Sequence, residues 1–236
     1  MKPTLILLLL TISTIISCTN KPLSKQETIV INNNTIIADV KKNVENGDLI
    51  LRMGNDIMSE ILRDISPKER KYSHVGLIKI VDGVPMVYNI NPESKKLLRD
   101  DTIRLENLDS FITPTKNIAV AVYRFSFDNT LKNAILDTVL NYQHNKTRFD
   151  MQFNFADDSA QYCSELITKS LEKATANKYT IARYIIDSTK VIGVKKYLSS
   201  NNIDFKKYPV ITLDNMYLNA FTKKIMEGTY KTGREY

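Results

Sequence analysis

The chain of 236 residues has no tryptophan, two histidines (His74, His144) and two cysteines (Cys18, Cys163). So few imidazoles and thiols nearly exclude a tetrahedral zinc site made of His and Cys, and neither a metal nor another cofactor is expected. Glycine is scarce too, with seven residues, at 47, 54, 76, 83, 193, 228 and 233. Neither G-x-G-x-x-G nor G-x-x-x-x-G-K can be written with them, which excludes nucleotide-binding loops of both kinds. The G-x-S-x-G elbow and the H-E-x-x-H helix are missing as well. With seven prolines the chain is too poor in Pro and Gly to be fibrous, and at 43% hydrophobic residues it is too apolar to stay disordered. The apolar run Leu5–Ile16 has twelve residues, diluted by Thr11, Ser13 and Thr14. That falls short of the roughly 20 that span a bilayer as a helix.

What stands at that end reads as an address. Met1-Lys2-Pro3 gives a short positive start before the apolar run, the pattern of a secretory signal. The run ends Ile15-Ile16-Ser17-Cys18, which resembles the lipobox of bacterial lipoproteins. In a lipobox the cysteine is lipidated and becomes the first residue after cleavage. The resemblance implies a signal peptide over 1–17, Cys18 as the lipidated residue, and a membrane partner through that anchor. It places the chain in a bacterial cell envelope, facing periplasm or exterior. Residues 18–34, rich in Lys, Ser, Thr and Asn, read as a tether, and 35–236 as one domain of routine size. The formal charge is +7, and the pairs Lys95-Lys96, Lys195-Lys196, Lys206-Lys207 and Lys223-Lys224 are scattered. Scattered lysines suit a solvated surface by default, or anionic headgroups and wall polymers; nucleic acid is a poor partner for an exported lipoprotein.

The body mixes α and β patterns. Gly47-Asp48-Leu49-Ile50-Leu51-Arg52 reads as a strand, and Ile57, Met58, Ile61, Leu62 and Ile65 recur at helical spacing before Pro67. Runs over 72–81 and 84–91, separated by Asp82-Gly83, predict a hairpin with a type I′ turn, with Pro85 favouring an edge position. Strands are expected over 101–105 and 118–125. A helix is expected over 129–143 capped by Asp128, and another from about Ser159. The tail from Lys178 predicts one or two strands and closing helices.

A two-residue turn places Asn89 diagonal to His74, and Asn91 opposite it, on one sheet face. Such an amide can fix an imidazole tautomer; equally, an Asn at a strand end can cap a turn. With Cys18 lipidated, Cys163 is the one thiol left, in a compartment where disulfides form readily. Asp157, Asp158 and Ser159 are good caps, so Cys163 is expected in the first turn of a helix, whose N–H groups favour thiolate and can steady an oxyanion. The alternative is a small buried hydrophobe packed with Leu166 and Ile167. His144, at a helix C-terminus, reads as a favourable cation for the dipole.

Three segments, Gly47-Asp48-Leu49-Ile50-Leu51-Arg52, Ser73-His74-Val75-Gly76-Leu77-Ile78 and Tyr162-Cys163-Ser164-Glu165-Leu166, resemble the signature segments of one family. It is the circularly permuted branch of the papain-like NlpC-type superfamily, the YiiX/YebB-like proteins, in which histidine precedes cysteine. The resemblance spans about residues 47–171, with a weaker echo in 208–218. It implies an α+β, papain-like fold with a central antiparallel sheet or partial barrel packed against helices. It also implies a cysteine hydrolase or acyltransferase with Cys163 as nucleophile and His74 as base. The third, His-orienting position is commonly acidic in that family. Here it falls on Asn89, with Asn91 second, and an amide orients imidazole without stabilising its cation by charge. Lipid-like amides or esters are the expected substrates. Peptide bonds of peptidoglycan stems are the alternative, and a silent envelope-binding lipoprotein is a further one.

Overall fold

A computed structural model describes residues 23–92, 101–186 and 209–232. Cys18 and the lysine pairs at 95–96, 195–196 and 206–207 lie outside them. The strand order β4-β3-β2-β1-β5-β8 forms a six-stranded sheet, antiparallel throughout. Its strands are β1 (Leu49–Gly54), β2 (His74–Val81), β3 (Val84–Asn89), β4 (Arg104–Asn107), β5 (Asn117–Phe125) and β8 (Thr222–Thr229). A two-stranded parallel sheet pairs β6 (Arg148–Phe149) with β7 (Ala160–Gln161). The helices are α1 (Lys25–Asn43), α2 (Ile57–Asp64), α3 (Leu108–Phe111), α4 (Asn129–His144), α5 (Cys163–Ala174) and α6 (Leu213–Tyr217).

Both faces of the large sheet are covered, which explains why β1 is apolar without alternation. Leu49 and Leu51 face a core shared with α4, α5 and α6, through Ile135, Val139, Leu166, Ile167 and Met216. Ile50 faces a second core with Val40 of α1 and Leu108 and Phe111 of α3. Side chains alternate along a strand, so residues of like parity in β1 and β2 share a layer. The hairpin forms in the expected register, Val81 against Val84 and Leu77 against Tyr88, with positive φ at Asp82 (49°) and Gly83 (78°). β4 pairs only with Met86–Asn89, so Pro85 meets no donor requirement from that side. Gly76 is required by closeness: a Cβ there would stand 2.3 Å from Val87 Cγ1 and 3.0 Å from the Tyr88 carbonyl.

Three expectations are corrected. Residues 25–34, expected as tether, form the first half of α1. A capping box closes its start, Glu27 N–H donating to Ser24 Oγ (3.2 Å) and Ser24 N–H to Glu27 Oε2 (2.8 Å), and Ile29, Asn33 and Val40 bury one stripe. Asn33 secures the helix to the end of β8, exchanging two hydrogen bonds with the backbone of Lys231 (3.0 and 2.9 Å). The helix expected from Ser159 begins at Cys163, because Asp157 spends its carboxylate on the Ser159 N–H and hydroxyl within a turn. The strand expected over 101–105 lies at Arg104–Asn107, where it finds β3. The tail supplies α6 and β8 within the described residues. No helix among them is long and apolar enough to cross a membrane.

Candidate active site

Cys163 is the first residue of α5, and it is placed from outside the helix. Tyr162 Oη accepts the Ile211 N–H (2.8 Å), and Ser164 Oγ donates to the Ile211 carbonyl (2.8 Å). The residues on either side of the thiol thus grip one residue, Ile211, by its N–H and its carbonyl, in the chain leading to α6. Glu165 reaches back to the Tyr162 N–H (3.2 Å) and satisfies one donor of the first turn. Cys163 is 8% exposed, and burial pushes its thiol above the ordinary value. The N–H groups of Val75, Ser164 and Cys163 itself, with the Arg52 cation, pull the other way and lose to burial.

His74 opens β2 and lies in the ladder opposite Arg52. Its ring is 5.5 Å from that of Phe111, in the layer of α1 and α3, while Cys163 packs in the other layer with Val75. Thiol and imidazole therefore reach the same end of β2 from opposite layers, the sulfur meeting the N–H of the residue that follows the histidine. His74 is 7% exposed, and its Nε2 is buried with no hydrogen-bond partner. Burial, then the charge of Arg52, hold its pKa well below the ordinary value; Asn89, in hydrogen-bonding contact, opposes them, and Arg104 adds to the lowering. Both directions favour the neutral forms, imidazole and protonated thiol.

Asn89, at the end of β3, is 1% exposed. Its Nδ2 donates to Glu106 Oε1 of β4 (2.7 Å), and its Oδ1 accepts from Asn91 Nδ2 (2.6 Å). The two amides named from the sequence are thus joined to each other, and a carboxylate stands behind them. Glu106 and Arg52 were missed by sequence reasoning. Glu106 shares the His74 face only through the pairing of β4 with β3, Val87 against Glu106. Arg52 comes to that face only through the antiparallel pairing of β1 with β2, Arg52 against His74. His144 is exposed at the end of α4. Asp48, within the first signature segment, is fully buried and holds Arg124 through Nε and Nη2, both at 2.8 Å, so it ties β1 to β5.

The profile of a family described as permuted papain-like amidase enzyme, YaeF/YiiX, C92 family, matches residues 43–212. No curated protein matches the chain. Among solved structures, the chain is similar to the crystal structure of metalloprotein yiiX from Escherichia coli O157:H7. The TM-score is 0.65 at 16% identity, covering 79% of this chain and 99% of that one. At that identity the likeness speaks to the fold alone.

Proposed function

The chain belongs to the permuted papain-like amidases of the YaeF/YiiX, C92 family and is a cysteine hydrolase of amide bonds; from that premise we propose that Cys163 is its nucleophile, His74 its general base and Asn89 the residue that orients the base. His74 takes the thiol proton as sulfur attacks the carbonyl carbon of an amide or ester. The N–H groups at the start of α5 hold the oxyanion. The proton then passes to the leaving amine or alcohol, and water or another acceptor resolves the acyl-enzyme. The observation that carries this reading is the thiol at the first position of α5, against the N–H of the residue next to His74.

The neighbouring fold is described as a metalloprotein. In this chain, among the described residues, no three of His, Cys, Asp and Glu gather as ligands, so a resident metal does not fit them and no step runs through one. The substrates we propose are lipid-like or cell-envelope amides and esters, met by an enzyme anchored through Cys18 at a bacterial membrane. Digesting lipid extracts and, separately, purified sacculi, with products read by mass spectrometry, tests this. New products from the lipid arm support it, and stem-peptide fragments alone replace it with a wall endopeptidase. Cys163→Ala is expected to abolish turnover while leaving the fold intact by circular dichroism. Equal turnover by that variant, or none by wild type in either arm, overturns the proposal, the latter in favour of a silent binding lipoprotein.

A further inference from the structure

Opposite His74 lies a cation for which the described residues supply no paired counter-charge. Arg52 is opposite His74 in the β1–β2 ladder and so shares its face. Its guanidinium carbon stands 4.7 Å over the Phe111 ring, the same ring that lies 5.5 Å from His74. Nη1 is 3.5 Å from the Phe111 carbonyl, a long contact, and Nε is buried with no hydrogen-bond partner. The carboxylate charges that act on Arg52 are Glu106 and Asp56, in that order, with Arg104 opposing; the Cys163 sulfur joins them only when ionised. Neither carboxylate is at ion-pair distance, and both are occupied. Glu106 accepts from Asn89 at 2.7 Å, and Asp56 from Ser59 N–H and Oγ at 2.9 and 2.7 Å.

A guanidinium held over an aromatic ring, with donors left over, is a fork set for a planar or tetrahedral oxyacid. A largely buried cation without a paired carboxylate is costly for the fold, and a ligand that brings the missing charge removes that cost. We infer that Arg52 binds an oxyacid group of the substrate, a carboxylate or a phosphate, close to the bond that Cys163 attacks. This rests on Cys163 and His74 being the reacting pair, and it narrows their substrate to one that is anionic beside the scissile amide or ester. A phosphate would come from a lipid headgroup and a carboxylate from a wall peptide.

Iodoacetate and iodoacetamide form a matched pair of probes, differing in the charge next to the reactive carbon. The ratio of their rates of alkylation of Cys163 isolates recognition of the anion from activation of the sulfur. In wild type the ratio should exceed that of glutathione by about tenfold, fall to the glutathione value in Arg52→Gln and return in Arg52→Lys. A wild-type ratio no higher than that of glutathione, or one unchanged by Arg52→Gln, overturns the inference, and the wild-type comparison stands even if the variant does not fold. Slowing of iodoacetate by glycerol 3-phosphate identifies the headgroup source, and slowing by N-acetyl-D-glutamate the peptide source. Failure of the reacting pair itself reads differently: the iodoacetamide rate would then be the same in His74→Ala as in wild type.

Discussion

At Cys163 burial opposes the charged form of the sulfur, and at His74 burial and Arg52 oppose the charged form of the ring. Both shifts favour the neutral forms, so under the proposed mechanism proton transfer accompanies the attack rather than preceding it in a preformed ion pair. A lowered imidazole pKa moves the acid limb of reactivity below the ordinary His value of about 6.5, and a raised thiol pKa moves the alkaline limb above about 8.5. Alkylation by iodoacetamide is therefore expected to show a plateau between those limbs, read from rate against pH. In His74→Ala the plateau should vanish and leave a line rising about tenfold per pH unit. In the proposed mechanism Asn89 and Glu106 act through the ring as positioning residues. Asn89→Ala removes the contact that favours the imidazolium, so the acid limb should fall further and kcat should drop on the order of a hundredfold with KM little changed. Asn89→Gln should restore part of both, and Glu106→Gln should give a smaller shift of the same sign.

Among the elements, α5 depends most on a distant partner. Tyr162 and Ser164 use both backbone polar groups of Ile211, its N–H and its carbonyl, so Tyr162→Phe leaves a buried N–H unpaired. The expected cost is about 1–3 kcal/mol in urea unfolding, with slower alkylation of Cys163 because its helix start loosens. This grip also explains what was legible in the sequence. The β2–β3 hairpin was readable to the residue, since Asp82-Gly83 is a local signal and a two-residue turn leaves one register. The start of α5 was misplaced because Asp157 and Ser159 carry cap chemistry but spend it on a turn, while the true N-cap is a tyrosine whose hydroxyl is taken by Ile211. The first half of α1, residues 25–34, was read as tether because its buried stripe is thin, with Asn33 among its inward residues. The family was legible from the segments around His74 and Cys163. Arg52 and Glu106 became members of the site only through strand pairing, which no local pattern announces.

For the molecule as a whole, stability should carry the signature of Glu165, fully buried one turn into α5 and 3.0 Å from Lys169. Burial raises its carboxyl from 4.5 to about 8. Between those values the folded protein keeps a proton that the unfolded chain has released, so raising the pH favours unfolding, by up to about 1.4 kcal/mol per pH unit. Stability from this group is fully present below pH 4.5 and lost as pH climbs through 8. Urea midpoints at pH 5, 7 and 9 should decline in wild type and decline less in Glu165→Gln; parallel curves would contradict the assignment. The first helix sets a different kind of limit. Because α1 begins at Lys25 and packs on the fold from Ile29 onward, only Thr19 to Ser24 separate the helix from Cys18. Six residues reach at most ~20 Å when fully drawn out. With an acyl chain on Cys18, that short leash confines the enzyme's working radius to the lipid surface and whatever lies directly upon it.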